Sequence, residues 1–227
     1  MKDLRFIFFI LLTITFCNCK NKTIANIGEE YGRSNSIHEN LENAKKSYPV
    51  SEFVKWCSDS NNGLMQKKEV SEIEYKLSYL PSQSMAFIEL RNEQYDMDKF
   101  NQVTSYYSEM LYFNFKMILK DNTGEFLKYR LQSPQQYDER VKYISFDMQN
   151  DFYIVQKGDT LRPGLYQYER VYEVAPLATI MMAFDKKKLD LAEEFTFVYN
   201  DKLFNKGFVK YLFTRKQLID IPNIAGL

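Results

Sequence analysis

Ile73-Glu74-Tyr75-Lys76-Leu77-Ser78-Tyr79 puts an apolar or aromatic side chain at every second position and a charged or polar one between. Successive side chains of a strand point to opposite faces, so the stretch reads as a strand with one dry and one wet face. Pro81 stops it, and Ser82 is placed to cap a helix running to about Glu93. Phe100, Val103, Tyr107 and Met110, three or four apart, predict a second helix. Leu111, Phe113, Phe115 and Met117 then alternate again as a strand, and Asn122-Thr123-Gly124 turns the chain into Glu125 to Leu131.

Further along, Ser133-Pro134-Gln135-Gln136 opens a third helix, with Ser133 as cap, Pro134 at its first position and Gln136 closing a capping box. Tyr137, Val141 and Ile144 give that helix one apolar edge. Strands follow. Ile144, Phe146 and Met148 share one parity, Asn150-Asp151 is placed as a hairpin turn into Phe152–Lys157, and Arg162-Pro163-Gly164 suits a type II turn. Tyr166 to Val174 alternates, Leu177 to Phe184 is apolar almost throughout, and Phe195–Tyr199 and Phe208–Phe213 complete the set. The Leu177 run fits a central strand buried on both faces or a short core helix. About nine strands and about three early helices define an α+β class, with a mostly antiparallel sheet or sandwich.

The 227 residues suffice for one well-cored domain with a tail. Thirty basic side chains balance thirty acidic ones, so no global field draws the chain to nucleic acid or to an anionic membrane. The aromatic content is high, with 17 Tyr, 18 Phe and 1 Trp, whereas there is a single His.

The N-terminus reads as an address. Lys2 and Arg5, against Asp3, precede an apolar run from Phe6 to Phe16. As a helix that run covers about 16 Å, half a bilayer core, which suits an export signal better than a membrane span. It ends in Phe16-Cys17-Asn18-Cys19-Lys20-Asn21, with no small-x-small cleavage site. This ending resembles the signal of bacterial lipoproteins of the Bacteroidota type, in which cleavage precedes a Cys that receives diacylglycerol. The resemblance implies residues 1–18 as signal and Cys19 as the lipidated residue, with Cys17 as the alternative. It departs from the usual pattern in having Asn18, or Phe16, where a small residue normally precedes the Cys. A Cys19–Cys57 disulfide is the competing use of that thiol. Residues 19–48, rich in Asn, Ser, Glu and Lys, read as a flexible tether with a short helix around His38–Lys46, and 49–227 as one globular domain.

Chemistry is scarce. His38 lies in the tether, which leaves Ser-His and Cys-His nucleophile pairs without a base in the domain and argues against His-based zinc sites. No Gly-rich phosphate loop or nucleophile elbow is present. Asp59-Ser60-Asn61-Asn62-Gly63 superficially resembles the start of a calcium loop, but its Gly falls one place early and Val70 stands where the closing Glu is needed, so a plain turn is expected. Glu72 and Glu74, about 6.6 Å apart along a strand, are a carboxylate pair that spacing allows for glycosidase-type work, but they read as the solvent face of that strand. Glu169 and Glu173, about 13 Å apart, are too far to act together on a straight strand. Cys57, beside Phe53, Val54 and Trp56, is read as a buried thiol in an apolar strand. Lys186-Lys187-Lys188 with Asp190, Glu193 and Glu194 is read as a solvated loop.

The strongest binding hint is Tyr166, Tyr168 and Tyr172 on one parity with Arg170 between them, residue types that dominate interfaces. The expectation is a lipid-anchored envelope lipoprotein, non-catalytic, without cofactor or metal, binding an envelope protein partner. A glycan-binding or carboxylate-based glycan-hydrolysing protein is the alternative, and an envelope inhibitor or immunity protein a third. Tyr rings in an open groove beside convergent carboxylates favour sugars. The same rings buried between sheets, with a flat apolar patch elsewhere, favour a protein partner.

Overall fold

The computed structural model describes residues 45–91, 93–120, 124–169 and 175–225. In chain order these form β1 (Ser47–Tyr48), α1 (Val50–Ser58), β2 (Met65–Val70), β3 (Ile73–Leu80), α2 (Ser82–Leu90), α3 (Met97–Tyr107), β4 (Met110–Leu119) and α4 (Pro134–Lys142). They continue as β5 (Phe152–Gln156), β6 (Asp159–Leu161), β7 (Leu165–Glu169), β8 (Leu177–Asp185), β9 (Phe195–Asp201), β10 (Gly207–Phe213), α5 (Arg215–Ile219) and β11 (Asn223–Ile224). The chain is α+β and strand-rich.

Two antiparallel sheets carry the core, one of order β2-β3-β4-β8-β7 and one of order β10-β9-β5-β6. β1 and β11 make a separate parallel pair, so Ser47 and Tyr48 belong to the domain rather than to a tether. Alternation decides which side chains meet between the sheets. Ile73, Tyr75 and Leu77 of β3 and Leu111, Phe113, Phe115, Met117 and Leu119 of β4 are buried, while their neighbours of opposite parity stay half-exposed. Phe113 shows how the layers join. Its ring lies 5.2 Å from Phe197 and 5.5 Å from Phe213 on the opposite sheet, and 5.4 Å from Tyr79 and 5.8 Å from Phe184 on its own. The high aromatic content is spent on this interior. The Leu177–Phe184 run is a strand between β4 and β7. Ala178, Ile180, Met182 and Phe184 face the core, and Thr179 and Ala183 are buried on the other face.

Helices α2 and α3 form the β3–β4 connection and share a small core of Ala86, Leu90, Phe100 and Val103. Pro81, not Ser82, is the capping residue of α2, and that helix ends at Leu90. Asp96 caps α3 by accepting from the Lys99 N–H at 2.9 Å. Met110, expected in that helix, instead begins β4. The Ser133 cap of α4 holds, its Oγ accepting from Gln136 N–H at 3.3 Å; the Gln136 side chain reaches back one residue further, to Gln132 N–H.

Several local expectations are corrected. Phe53, Trp56 and Cys57 lie on helix α1, not on a strand; their spacing of three and four sets one face inward and leaves Val54 52% exposed. Tyr143 to Asp151 is helical rather than extended: Ile144 and Met148, four apart, are buried together while Phe146 between them is 65% exposed. The Asn150-Asp151 hairpin is therefore absent, and the tight hairpin falls at Lys157-Gly158. Both of those residues have positive φ, 52° and 91°, as a type I′ turn needs. Gly164 has no positive φ, so the Arg162-Pro163-Gly164 segment is not type II; it carries the chain from β6 in one sheet to β7 in the other. Glu125 to Leu131 is a turn around a short tight helix, Phe126–Lys128.

Candidate protein-interaction face

The outer face of the four-stranded sheet is built by simple alternation. Val209, Tyr211 and Phe213 of β10 point into the core, which turns Phe208, Lys210 and Leu212 outward. Across the ladder, Lys210 faces Val198 and Leu212 faces Thr196 on β9, and these face Tyr153 and Val155 on β5. Val198 points outward yet is only 2% exposed, because Lys210 and Tyr153 flank it in register. Phe208 remains 62% and Leu212 47% exposed. The Arg162 guanidinium lies 5.1 Å over the Tyr153 ring and donates to the Asn150 carbonyl. No outward-facing residue of β5, β6, β9 or β10 among the described ones is acidic. The result is an apolar strip with cations and no carboxylate, in a chain whose overall charge is balanced.

Tyr166 and Tyr168 stand opposite Met182 and Ile180 and turn toward the interior. Tyr166 packs 6.1 Å from Phe152, and its hydroxyl donates to the Ile144 carbonyl at 2.6 Å. Burial pushes its phenol well above the ordinary value. Arg170 and Tyr172 lie outside the described residues, as do Cys17, Cys19, His38 and Glu173. The two described members of the Tyr set thus fill the sandwich rather than line a groove.

Glu72 and Glu74 do not converge. Glu72, in the β2–β3 turn, faces Arg130 at 3.2 Å and Lys206 at 3.5 Å, whereas Glu74 faces Lys67 at 3.8 Å on the outer face of the sheet. Cys57 is half-buried beside Ser84, whose hydroxyl lies 3.9 Å from Sγ, and burial pushes its thiol up to about 11. That keeps it protonated and a poor nucleophile at neutral pH. Asp59 spends a carboxylate oxygen on Asn61 N–H in a one-turn helix closed by Gly63, so the acidic turn is a capping device. Lys187 pairs with Glu109, and Lys157 with Asp190 and Glu193. Ser108, Glu109, Lys186, Lys187, Leu189 and Leu191 line an open depression of about 340 Å³. No group of three or more His, Cys, Asp or Glu able to hold a metal occurs among the described residues.

A buried polar cluster escaped the sequence reading. Asp201, 2% exposed, accepts from the Tyr75 hydroxyl at 2.6 Å, the Tyr199 hydroxyl at 3.0 Å and the Phe204 N–H at 3.0 Å. Asp151, 4% exposed, accepts from Tyr143 at 2.7 Å and meets Lys202 at 2.6 Å. Burial and the facing carboxylates hold the Tyr75, Tyr143 and Tyr199 phenols far above their ordinary value. Both carboxylates have partners from more than one element, which marks the cluster as an inter-sheet fastening. Neither it nor the apolar strip carries a sequence motif. The strip's only signal is that Phe208–Phe213 is apolar on both parities apart from Lys210. Comparison of the chain with protein-family models, curated proteins and solved structures returns no match.

Proposed function

We propose that the chain is a cell-envelope lipoprotein, held by lipid on Cys19 with Cys17 as the alternative, whose domain is a non-catalytic protein-interaction module. The face that engages the partner is the outer surface of β10, β9, β5 and β6. The observation that carries this is Phe208 and Leu212, 62% and 47% exposed, on either side of Lys210. Large apolar side chains grouped on a sheet face mark an interaction surface, and aromatic and cationic residues supply most of the energy at such surfaces. The cations and the lack of outward carboxylates favour an envelope protein that presents an apolar surface bearing Asp or Glu. The inward turn of Tyr166 and Tyr168 favours this over the glycan alternative, which wants those rings in an open groove.

The test is site-specific photocrosslinking of the full chain in its native host. With a photoreactive phenylalanine at Phe208, a protein adduct of defined mass is expected, and Lys210→Glu should remove it. The same probe at Lys55, exposed on helix α1, serves as control. Equal adducts from both positions, or none from Phe208, would refute the assignment of the face.

A further inference from the structure

The outer face of the five-stranded sheet carries a charge arrangement that folding alone does not favour. Lys67 of β2 stands directly opposite Lys76 of β3, and Lys76 directly opposite Lys116 of β4. Directly opposed residues of antiparallel strands have Cβ atoms about 5 Å apart, and like charges placed so are destabilising. One row along the same face, Ser78 stands opposite Asn114. Lys76, Lys116, Ser78 and Asn114 make no side-chain hydrogen bond or ion pair with the described residues. Lys67 reaches Glu74 at 3.8 Å, and Glu69, opposite Glu74, is occupied by Lys120 at 2.7 Å. Burial, then Lys67 and Lys116, push the Lys76 ammonium below its ordinary value, and Glu74 offsets them only in part.

We propose that Lys67, Lys76 and Lys116, with Ser78 and Asn114, form a binding site for a phosphate-type oxyanion. Three ammonium groups on neighbouring strands present donors toward one side of the sheet, and the hydroxyl and amide beside them add neutral donors. An oxyanion seated there takes up the donors of Lys76, Lys116, Ser78 and Asn114 and turns mutual repulsion of the three ammonium groups into shared attraction. Local conflict of this kind within an otherwise consistent strand pattern is what functional positions show. The site is separate from the apolar strip and requires neither that face nor a lipid anchor.

The same chemistry is offered by inorganic phosphate and by a phospholipid headgroup, and two arms separate them. Thermal unfolding of the full chain is followed in sodium phosphate and in sodium chloride of equal ionic strength. Sedimentation is followed with phosphatidylcholine vesicles that contain or lack phosphatidylglycerol. A saturable rise of the unfolding temperature with phosphate is expected from mass action. Lys76→Met, which keeps the apolar stem and relieves the ladder, should raise the unfolding temperature in chloride and weaken phosphate binding about tenfold. Glu74→Gln should tighten it. Sedimentation that depends on phosphatidylglycerol and is lost in Lys76→Met assigns the headgroup; a phosphate response alone assigns the free anion. No response in either arm, or a response retained in Lys76→Met and Lys116→Met, overturns the site.

Discussion

Replacing Tyr75 by Phe removes one oxygen and leaves the ring, so no cavity complicates its effect. Tyr75 sits on β3 and donates at 2.6 Å to Asp201 on β9, which makes this hydrogen bond a fastening between the two sheets. Asp201 keeps its bonds from Tyr199 and Phe204 and loses its shortest donor. A hydrogen bond to a buried charged group contributes about 1.5–3 kcal/mol, so a loss near 2 kcal/mol is expected at neutral pH. With a urea slope of about 2 kcal/mol/M, the midpoint should fall by about 1 M. The pH dependence supplies a second reading of the same bond. Below the ordinary phenol value of 10.0 both folded and unfolded chains keep the proton, and the stabilisation is fully present. Above it the unfolded chain ionises while the native phenol does not, so stability falls as pH rises. Each such phenol contributes about 1.4 kcal/mol per pH unit to that fall. Tyr143, Tyr166, Tyr199 and Tyr211 are raised as well, so several phenols share the alkaline loss, and Tyr75→Phe should make the slope shallower by about 1.4 kcal/mol per pH unit. Urea titrations read by tyrosine fluorescence or circular dichroism at pH 7 and across pH 9.5–11 measure both. A midpoint unchanged to within a few tenths of a molar, together with an unchanged alkaline slope, would show that the hydroxyl is not held between the sheets.

Phe113→Ala should cost about 3–5 kcal/mol, since a fully buried ring that bridges both sheets is lost; thermal or urea unfolding reads it, and a cost under 1 kcal/mol would contradict the shared core. Gly63→Ala should destabilise by more than about 1 kcal/mol, because φ is +77° and a Cβ would come within 2.0 Å of Gln217 Nε2, whereas Gly158→Ala meets no neighbour and pays only the positive-φ strain. Cys57 should react with iodoacetamide far more slowly at pH 8 in the native chain than in the urea-unfolded one, since its thiol is pushed up to about 11; equal rates would contradict its burial.

How far the sequence could be read depended on the range of the physics involved. Strands with one dry face, such as Ile73–Leu80 and Met110–Leu119, announced themselves because a period of two is a local pattern. The Ser133 cap did so as well, since its bonds lie within four residues. Errors arose where a few apolar residues satisfied two periods. Ile144, Phe146 and Met148 fit a strand parity, but Ile144 and Met148 also fit one helical face, and packing under β7 decided for the helix. Phe53 to Cys57 went the same way. The polar cluster around Asp201 joins residues 126 positions apart, and no local pattern encodes that. The apolar strip was hidden because Phe208–Phe213 is apolar on both parities, and only the position of β10 beside β9 fixes which parity faces solvent. The Lys67–Lys76–Lys116 row likewise appears only once the register of three strands is known.

The functional proposal rests first on the chain being a lipid-anchored envelope protein, and intact mass tests that most directly. The chain is purified from its native host in unaltered form and as Cys19→Ser and Cys17→Ser variants. The account predicts a mature chain that begins at Cys19, carries a diacylglycerol-sized increment, and loses that increment in Cys19→Ser while Cys17→Ser keeps it; the reverse pattern assigns the alternative Cys17. An unlipidated mass in all three, beginning elsewhere, would contradict the anchor.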